Sequence, residues 1–505
     1  MRHRSERSLL ACALVLTALA SPAPAAATPK AVWGPVTLPD GSSAFPAYAE
    51  LGVDVLQLQL VWARAAPQRP AQPTDPDDPA YRWPAAIGAA IAAGAAHGIE
   101  VALLVRGSPA WAVGEPAVGA TAEATAPLAT SDYADFLTAA ARRYPEVRRW
   151  MIWGEPNRHA QWASGPTAYA DLLDAAYGAV KAVDPSDVVG GGMSTSFGDV
   201  PTAAWVGALR RSDGRPPRLD EYGHNPFTHR CPDLALAPDP ASPGARDISD
   251  LDTLAGELRD SLGADVPMWL SEFTVSSDRA SWALPFFVSR ERQAEWLTRA
   301  FAIASSLDHV SGIGWFNLHD GPPPDGLTTG LMTHAGERKP AFAAYRAAPL
   351  AGGAQLPACD ASSPAATGAP TAAVPLFAGE SPHPADGPQA RRRPLALAVR
   401  APRRGRLAGV LRRGYRLRAR CSRDCAVVAS LALGRRQARA LGIGGGRIVA
   451  TASAHDGGAS ALALRPGRRL ARRLEGHRRV RMTLRVVARS GAGEVRRLRR
   501  RVVLR

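Results

Sequence analysis

The first two thirds of the chain alternate between short hydrophobic runs and longer segments whose apolar residues recur at helical spacing. This alternation predicts βα units and a parallel sheet, because each buried strand is followed by a helix that covers it. The predicted strands are Val32–Pro35, Val53–Trp62, Ile99–Arg106, Arg149–Trp153, Val188–Met193, Leu219–His224, Met268–Ser271 and Gly312–Asn317. The helical patterns between them include Pro84–His97, Ser131–Tyr144, Pro166–Val183 and Glu291–Leu307. We therefore predict an α/β domain, a (β/α)8 TIM barrel, over residues 28–348.

The N-terminus has the organisation of a cleaved secretory signal. Arginines among the first seven residues precede the apolar run Leu9–Ala20, and Ala23–Ala27 supplies small residues suited to signal peptidase. We predict that residues 1–27 are removed and that the mature protein is secreted, with the cell wall as one extracellular location. Elsewhere no stretch approaches the roughly 20 consecutive apolar residues of a membrane-spanning helix. No membrane span is therefore predicted.

Composition divides the remainder of the chain. Residues 349–394 are rich in Pro, Ala, Gly and Ser, which bury too little apolar area to offset the entropy of ordering, and this predicts a linker. Residues 391–505 contain 33 Arg, no Lys and 4 acidic residues, a net charge of +29. Subtraction from 61 basic and 45 acidic residues leaves 28 and 41 for residues 1–390, a net charge of −13. The overall charge of +16 thus conceals two oppositely charged parts.

Residues 395–505 are predicted to form a small all-β, sandwich-like domain. Short alternating or β-branched segments, separated by turns with glycine, are Tyr415–Arg420, Ala426–Leu433, Arg447–Ser453, Ser460–Leu464 and Val480–Ala488. The arginine-rich surface predicts adhesion to acidic cell-wall polymers or acidic polysaccharide through many screened contacts. A compositional preference for arginine on an exposed face explains the same pattern. Nucleic acid is not an expected partner, because Tyr415 is the only aromatic residue available for base stacking.

The cysteine pattern favours disulfides over metal binding. After the signal segment the cysteines are Cys231, Cys359, Cys421 and Cys425. An even number in an oxidising compartment suggests disulfides, and sequence alone does not choose among the possible pairings, of which Cys421 with Cys425 is the most local. The chain has no HExxH motif, no P-loop and no zinc-site spacing. We therefore predict neither a metal nor a cofactor.

Two of the hydrophobic runs end in a glutamate. Trp150-Met-Ile-Trp153 is followed by Gly154-Glu155-Pro-Asn157, and Met268–Ser271 is followed by Glu272. The carboxyl ends of barrel strands line the active site, so strands four and seven would bring the two carboxyl groups to one face. Hydrolysis of a glycosidic bond requires such a pair. An open doubly wound sheet, the next-best architecture, gives no reason for this placement.

These motifs resemble those of the clan-A glycoside hydrolases, and within the clan those of families 5 and 39. The resemblance covers roughly residues 31–350 and rests on Leu51-Gly-Val53, Ser108-Pro-Ala-Trp111, Trp153-Gly-Glu155-Pro-Asn157 and Trp315. It implies a retaining enzyme that cleaves O-glycosidic, β-configured bonds of polysaccharides or oligosaccharides through a covalent glycosyl-enzyme. Glu155 would be the acid/base and Glu272 the nucleophile, with their carboxyl groups about 5–5.5 Å apart.

The two glutamates need unlike surroundings for these roles. Glu155 must be protonated near neutral pH, which desolvation by neighbours such as Trp153 would favour. Glu272 must stay ionised and needs hydrogen-bond donors, for which Tyr222 and His224 are the candidates. His224 fits equally well as a hydrogen-bonded structural histidine.

Aromatic and amide side chains near the strand ends are the candidate sugar contacts. An indole offers a flat apolar surface to the C–H face of a sugar, so Trp315 is the first candidate platform and Trp111 the second. Asn157 could reach the sugar, although capping of the following loop is its more ordinary role.

Two positions depart from the pattern of the clan. Gly154 stands where clan members usually have Asn, whose contact with the sugar 2-hydroxyl contributes several kcal/mol in the transition state. Gln57 stands on strand two where the clan usually has Arg beneath the nucleophile. These departures keep a second hypothesis open, a catalytically impaired barrel that binds glycans or anchors to the cell surface.

Overall fold

The computed structural model describes residues 28–348 and 396–505, apart from gaps at 115, 117–119, 241, 282–283, 285, 324–325, 403, 422–424, 434–436, 438–447, 457–458, 465–472, 475–476, 478 and 491–494. The predicted signal segment and the predicted linker therefore lie outside the described residues. The division of the chain at these two segments stays a prediction.

Eight parallel strands close into a barrel in sequence order, with β1 paired to both β2 and β8. The strands are β1 Lys30–Trp33, β2 Val55–Val61, β3 Glu100–Arg106, β4 Arg149–Ile152, β5 Val188–Thr195, β6 Glu221–Asn225, β7 Met268–Phe273 and β8 Val310–Phe316. The predicted (β/α)8 barrel is confirmed. The difference that matters most for the site is at the end of β6. This strand ends at Asn225, one residue beyond the predicted end at His224.

Helices follow the strands and surround the barrel. They are α1 Phe45–Leu51, α2 Trp62–Ala65, α3 Ala85–His97, α4 Thr130–Arg143, α5 Gly165–Val183, α6 Thr202–Gly207, α7 Leu251–Leu262, α8 Arg290–Ser306 and α9 Pro340–Ala347. Local sequence sets their ends. Ser289 caps α8 by accepting a hydrogen bond from the backbone N–H of Arg292 at 3.2 Å. Gly98 ends α3 in the left-handed conformation, with φ of 68°.

The period-two alternation of the strands separates two layers of the core. On β3, Val101, Leu103 and Val105 belong to the layer between strands and helices, whereas Ala102 and Leu104 belong to the barrel interior. The interior layer consists of Ala31, Trp33, Val55, Ala102, Leu104, Met151, Met193 and Trp269, with Phe316 packed against it. The barrel is therefore filled by side chains, and a ligand can reach only its ends.

The C-terminal part forms two sheets, of order β10-β16-β15-β12-β13 and β14-β11-β9. The strands are β9 Leu397–Arg400, β10 Arg404–Gly405, β11 Tyr415–Cys421, β12 Cys425–Leu433, β13 Ile448–Asp456, β14 Ala459–Leu464, β15 Val480–Ser490 and β16 Val495–Leu504, and the helix is α10 Leu407–Arg413. One hydrophobic cluster contains side chains from both sheets. The predicted sandwich-like β-domain is confirmed.

Four elements of this domain were not predicted from the sequence: β9, β10, α10 and β16. The longest of them, β16, contains five arginines among its ten residues, which obscures its alternation. Val502 and Leu504 are nevertheless buried in the shared cluster.

Cys231 and Cys421 are each disulfide-bonded. Cys359 and the side chain of Cys425 lie outside the described part of the chain, so the pairing of Cys421 with Cys425 stays a prediction. Within the described ranges, no helix combines the length and apolar character needed to cross a bilayer.

Candidate active site

Glu155 lies in a tight turn at the carboxyl end of β4. The Trp153 N–H donates to the Val105 carbonyl at 3.0 Å, and the Glu155 N–H donates to the Met193 carbonyl at 2.9 Å. These bonds tie the turn to both neighbouring strands. Trp153 and Glu155 have positive φ values of 65° and 48°. Non-glycine residues in this region store strain of about 1–3 kcal/mol, and such strain is found most often at functional sites.

The Glu155 side chain is buried, with 6% exposure, and its carboxylate contacts Arg158 and Asn225. The Arg158 guanidinium donates from Nη1 to Oε2 at 2.6 Å, and the Asn225 amide donates from Nδ2 to Oε1 at 3.3 Å. Arg158 is itself only 2% exposed and follows Glu155 by one turn of chain. The carboxylate is therefore held by a buried ion pair on one oxygen and by a neutral donor on the other.

Glu272 occupies the penultimate position of β7, and its backbone is fixed through the residue before it. The Ser271 carbonyl accepts hydrogen bonds from Gln57 Nε2 at 2.8 Å and from Trp33 Nε1 at 3.0 Å. The Ser271 hydroxyl donates to Asn225 Oδ1 at 2.8 Å. Asn225 thus links the backbone that carries Glu272 to the carboxylate of Glu155.

The two carboxyl groups interact electrostatically. Burial raises the pKa of Glu155, and the charge of Arg158 offsets part of that rise. Burial and, next, the negative charge of Glu155 raise the pKa of Glu272 well above its ordinary value. The ion pair with Arg158 favours the ionised form of Glu155, and the repulsion between the two carboxylates opposes their ionisation together.

Tyr222 and His224 lie on the outer face of β6. Both are fully buried, and both bond to Ser194: the Tyr222 hydroxyl donates to its Oγ at 2.8 Å, and His224 Nδ1 lies 2.9 Å from the same oxygen. Burial lowers the pKa of His224 to about 4, so its ring is neutral near pH 7. The expectation that these residues donate to Glu272 is corrected, because side chains alternate along a strand and Asn225 takes the inward position.

Asn157 anchors a loop. Its side chain is 1% exposed, and Nδ2 donates to the carbonyls of Thr195 at 2.8 Å and Val200 at 3.0 Å. Its Oδ1 accepts from the Thr195 N–H at 2.9 Å. The amide therefore joins the loop after β4 to the loop after β5. This is the capping alternative for Asn157, and its contact with sugar stays a prediction.

The aromatic candidates differ in exposure. Trp315 is fully buried in the outer core, and its indole N–H donates to the Thr329 carbonyl at 2.9 Å. Trp315 has no exposed face on which a sugar could stack. This corrects the expectation that Trp315 is the first candidate for a sugar platform. Its neighbour Phe316 is partly exposed and packs against the interior layer. Trp111 is partly exposed, with the Arg69 guanidinium 4.4 Å from its ring centroid.

Arg158 and Asn225, which contact Glu155, were not predicted from the sequence. A further polar group lies nearby on β3, where Arg106 interacts with the charge of Glu155 and donates from Nη2 to Gln161 Oε1 at 2.9 Å. Within the described residues, no group of three or more His, Cys, Asp or Glu side chains could hold a metal ion.

The fold and the site together define a class of architecture: a (β/α)8 barrel with a coupled carboxyl pair at the carboxyl ends of its fourth and seventh strands. No protein-family model matches the chain, and no curated protein matches it.

Several solved glycoside hydrolase structures are similar to the chain. A family 39 glycoside hydrolase from Bacteroides cellulosilyticus WH2 is 20% identical with a TM-score of 0.49, and the match covers 64% of each chain. A GH39 β-xylosidase from Caulobacter crescentus is 21% identical with a TM-score of 0.46, over 66% of this chain and 72% of that one. The GH39 enzyme from Xanthomonas axonopodis pv. citri is 16% identical with a TM-score of 0.45, over 95% and 94%.

The match thus spans 64% of the length of the first of these structures. Family 39, one of the two families that the motifs indicated, recurs among them. At these identities the likeness concerns the fold, which the closed barrel defines independently.

Proposed function

We propose that the chain is a retaining glycoside hydrolase that acts on β-linked polysaccharides or oligosaccharides. The observation that carries this proposal is the pair of mutually coupled carboxyl groups of Glu155, which is buried, and Glu272, which is partly buried, at the end of the barrel where substrates bind. Burial and like-charge coupling separate the protonation of two carboxyl groups, as acid/base chemistry requires.

In the proposed reaction Glu155 donates its proton to the glycosidic oxygen while Glu272 attacks the anomeric carbon. The C–O bond to the leaving group breaks and a glycosyl ester forms on Glu272. Glu155, now ionised, takes a proton from water, and the resulting hydroxide equivalent displaces Glu272 with net retention of configuration. One proton shared by the pair is sufficient for the cycle.

Arg158 is the positive charge that stabilises this pair. It lowers the pKa of both glutamates and contacts Glu155 directly. We infer that the shared proton lies on Glu155 in the substrate complex, where the arginine stabilises the ionised Glu272. Gln57 meanwhile holds the Ser271 carbonyl and supplies no charge.

Hydrolysis of a panel of aryl β-glycosides and polysaccharides by Glu155→Ala and Glu272→Ala tests the proposal. Both variants should lose activity, and azide should restore it. Glu155→Ala should give a β-glycosyl azide, because azide enters in place of water. Glu272→Ala should give an α-glycosyl azide, because azide replaces the nucleophile in a single displacement.

Glu146→Ala is the matched control, since Glu146 is exposed and belongs to the same barrel. It should retain wild-type turnover. Activity that survives in Glu272→Ala without azide would contradict the assignment.

The second candidate is a glycan-binding barrel without catalysis. Gly154 favours it, because the sugar contact expected from an asparagine at this position is missing. Absence of wild-type turnover across the panel, together with retained polysaccharide binding, would establish this alternative.

We propose further that the protein is secreted and that its basic β-domain contacts acidic polymers, the cell wall among them. The signal-like residues 1–27 and the net charge of +29 in residues 391–505 support these assignments. N-terminal sequencing of the extracellular protein should begin near Thr28. An intact Met1 on the protein would contradict export through this segment.

A further inference from the structure

The outer face of the three-stranded sheet carries a line of exposed arginines. Along β11, buried and exposed side chains alternate, and Arg416, Arg418 and Arg420 are the exposed ones. On the neighbouring strand β9, Arg400 is also exposed and lies directly opposite Arg418. We call Arg400, Arg416, Arg418 and Arg420 the arginine row.

The register fixes the spacing of the arginine row. Alternate residues of a strand are about 6.7 Å apart, and directly opposite Cβ atoms are about 5 Å apart. The three β11 positions therefore extend over about 13 Å in a straight line. A surface depression of about 400 Å³ lies among them, lined by Arg400, Arg416, Leu417, Arg418, Leu462 and Ala463. The charges thus border a concave surface along one strand.

The four members of the arginine row are without an ion-pair partner in the described part of the chain. Like charges placed directly opposite each other, as Arg418 and Arg400 are, destabilise a sheet. A local arrangement that opposes folding is a feature of functional sites. Arg485 and Arg499 also lie directly opposite each other on the other sheet, so the feature that distinguishes the arginine row is the surface depression that it borders.

We propose that the arginine row binds a linear polysaccharide that bears carboxylate groups. Guanidinium groups pair with carboxylates through two parallel hydrogen bonds, and a line of them matches a chain of regularly repeated anions. Tyr415, the only Phe, Tyr or Trp of residues 391–505, is 2% exposed, so none of these three ring types is available for base stacking. This inference rests on the proposed anionic partner of the basic domain and is independent of catalysis in the barrel.

The test uses the full chain in affinity electrophoresis through gels that contain polygalacturonate or, as the neutral control, dextran. The row variant combines Arg400→Gln, Arg416→Gln and Arg418→Gln. The matched variant combines Arg481→Gln, Arg485→Gln and Arg499→Gln on the other sheet.

The matched arginines are also exposed, so both variants remove the same charge. Polygalacturonate should retard the wild type, with a loss of about tenfold or more in affinity for the row variant and less than about threefold for the matched variant.

Equal losses of affinity in the two variants would overturn specific recognition by the arginine row and would indicate a diffuse electrostatic contact. Absence of retardation of the wild type at about 0.15 M salt would overturn both the row and the anionic partner. Tighter binding of polyphosphate or duplex DNA than of polygalacturonate would overturn the choice of a carboxylate polymer.

A row variant with Lys in place of the three arginines controls for folding. It keeps the charge but lacks the paired donors, and its affinity should fall between those of the wild type and the Gln variant. Wild-type affinity in the Lys variant would overturn bidentate recognition. Turnover of small aryl glycosides should be equal in all variants, so a failure of the proposed hydrolase activity is measured separately.

Discussion

Replacing Arg158 by Gln removes the positive charge that forms an ion pair with the proposed acid/base. Glutamine keeps a polar side chain but leaves Glu155 without its ion-pair partner. The pair has an N–O distance of 2.6 Å, and both side chains are less than one tenth exposed. Removal of one member of such a buried pair costs about 3–5 kcal/mol when the other member stays charged. Arg158→Gln should therefore be strongly destabilising where Glu155 is ionised.

The pH dependence follows from the sign of the pKa shifts. Both glutamates have folded-state pKa values above the ordinary 4.5. The native state therefore binds protons more tightly than the unfolded state. This contribution to stability is present below pH 4.5 and is lost as pH rises through the folded-state values. Arg158 offsets that loss for Glu155, so the variant should lose little stability near pH 4.5 and about 3 kcal/mol near pH 8.

Urea unfolding of the wild type, Arg158→Gln and Arg158→Lys at these two pH values measures the effect. Lysine keeps the charge and should recover part of the stability at the higher pH. A double-mutant cycle with Glu155→Gln isolates the pair, because Arg158→Gln should behave differently once the carboxylate is gone. A loss of equal size at both pH values, or additivity in the cycle, would refute the electrostatic reasoning.

Three further substitutions separate site residues from packing residues. Asn225→Ala leaves buried polar partners unsatisfied and should cost about 1–3 kcal/mol in urea unfolding, with a fall in kcat larger than the change in KM; unchanged kcat would remove Asn225 from the site. Trp315→Ala should lower the free energy of unfolding by about 3–5 kcal/mol, because the indole is fully buried; a change in sugar affinity without loss of stability would restore the platform role. Gly154→Asn should fold with an unchanged unfolding midpoint, since a Cβ there lies 3.4 Å from Leu104 Cδ1, an ordinary contact. It should raise kcat/KM on substrates with a 2-hydroxyl and leave 2-deoxy analogues unaffected.

The barrel was predictable because its strands are buried on both faces and its helices are amphipathic. The sequence did not predict which side chains of β6 face the barrel interior, and the reason is geometric. The predicted strand ended at His224, whereas β6 ends at Asn225. Side chains alternate along a strand, so one residue decides whether Tyr222 and His224 or Asn225 face the site. Hydrophobic patterning locates strands more accurately than it locates their last residue.

The contact of Arg158 with Glu155 could not be predicted from the sequence for a different reason. Arg158 follows Glu155 by three positions in a turn without regular secondary structure, so periodicity assigns it no direction. Its contact with Glu155 depends on the positive φ of that residue and on backbone bonds to both neighbouring strands. An arginine in a loop is usually solvated. The burial of Arg158 is evident only from the folded structure.

The location of the positive charge bears on the pH dependence of catalysis. Gln57 on β2 is uncharged, and the positive charge beside the carboxyl pair comes from Arg158 in the turn that carries the proposed acid/base. The free enzyme should therefore lose kcat/KM as pH rises through the macroscopic ionisation of the pair. In Arg158→Gln this basic limb should move to higher pH, because Glu155 holds its proton more tightly without the cation, while kcat falls because Glu272 is less stabilised as an anion. A basic limb that stays in place, or that moves to lower pH, would show that Arg158 does not set the ionisation of the pair.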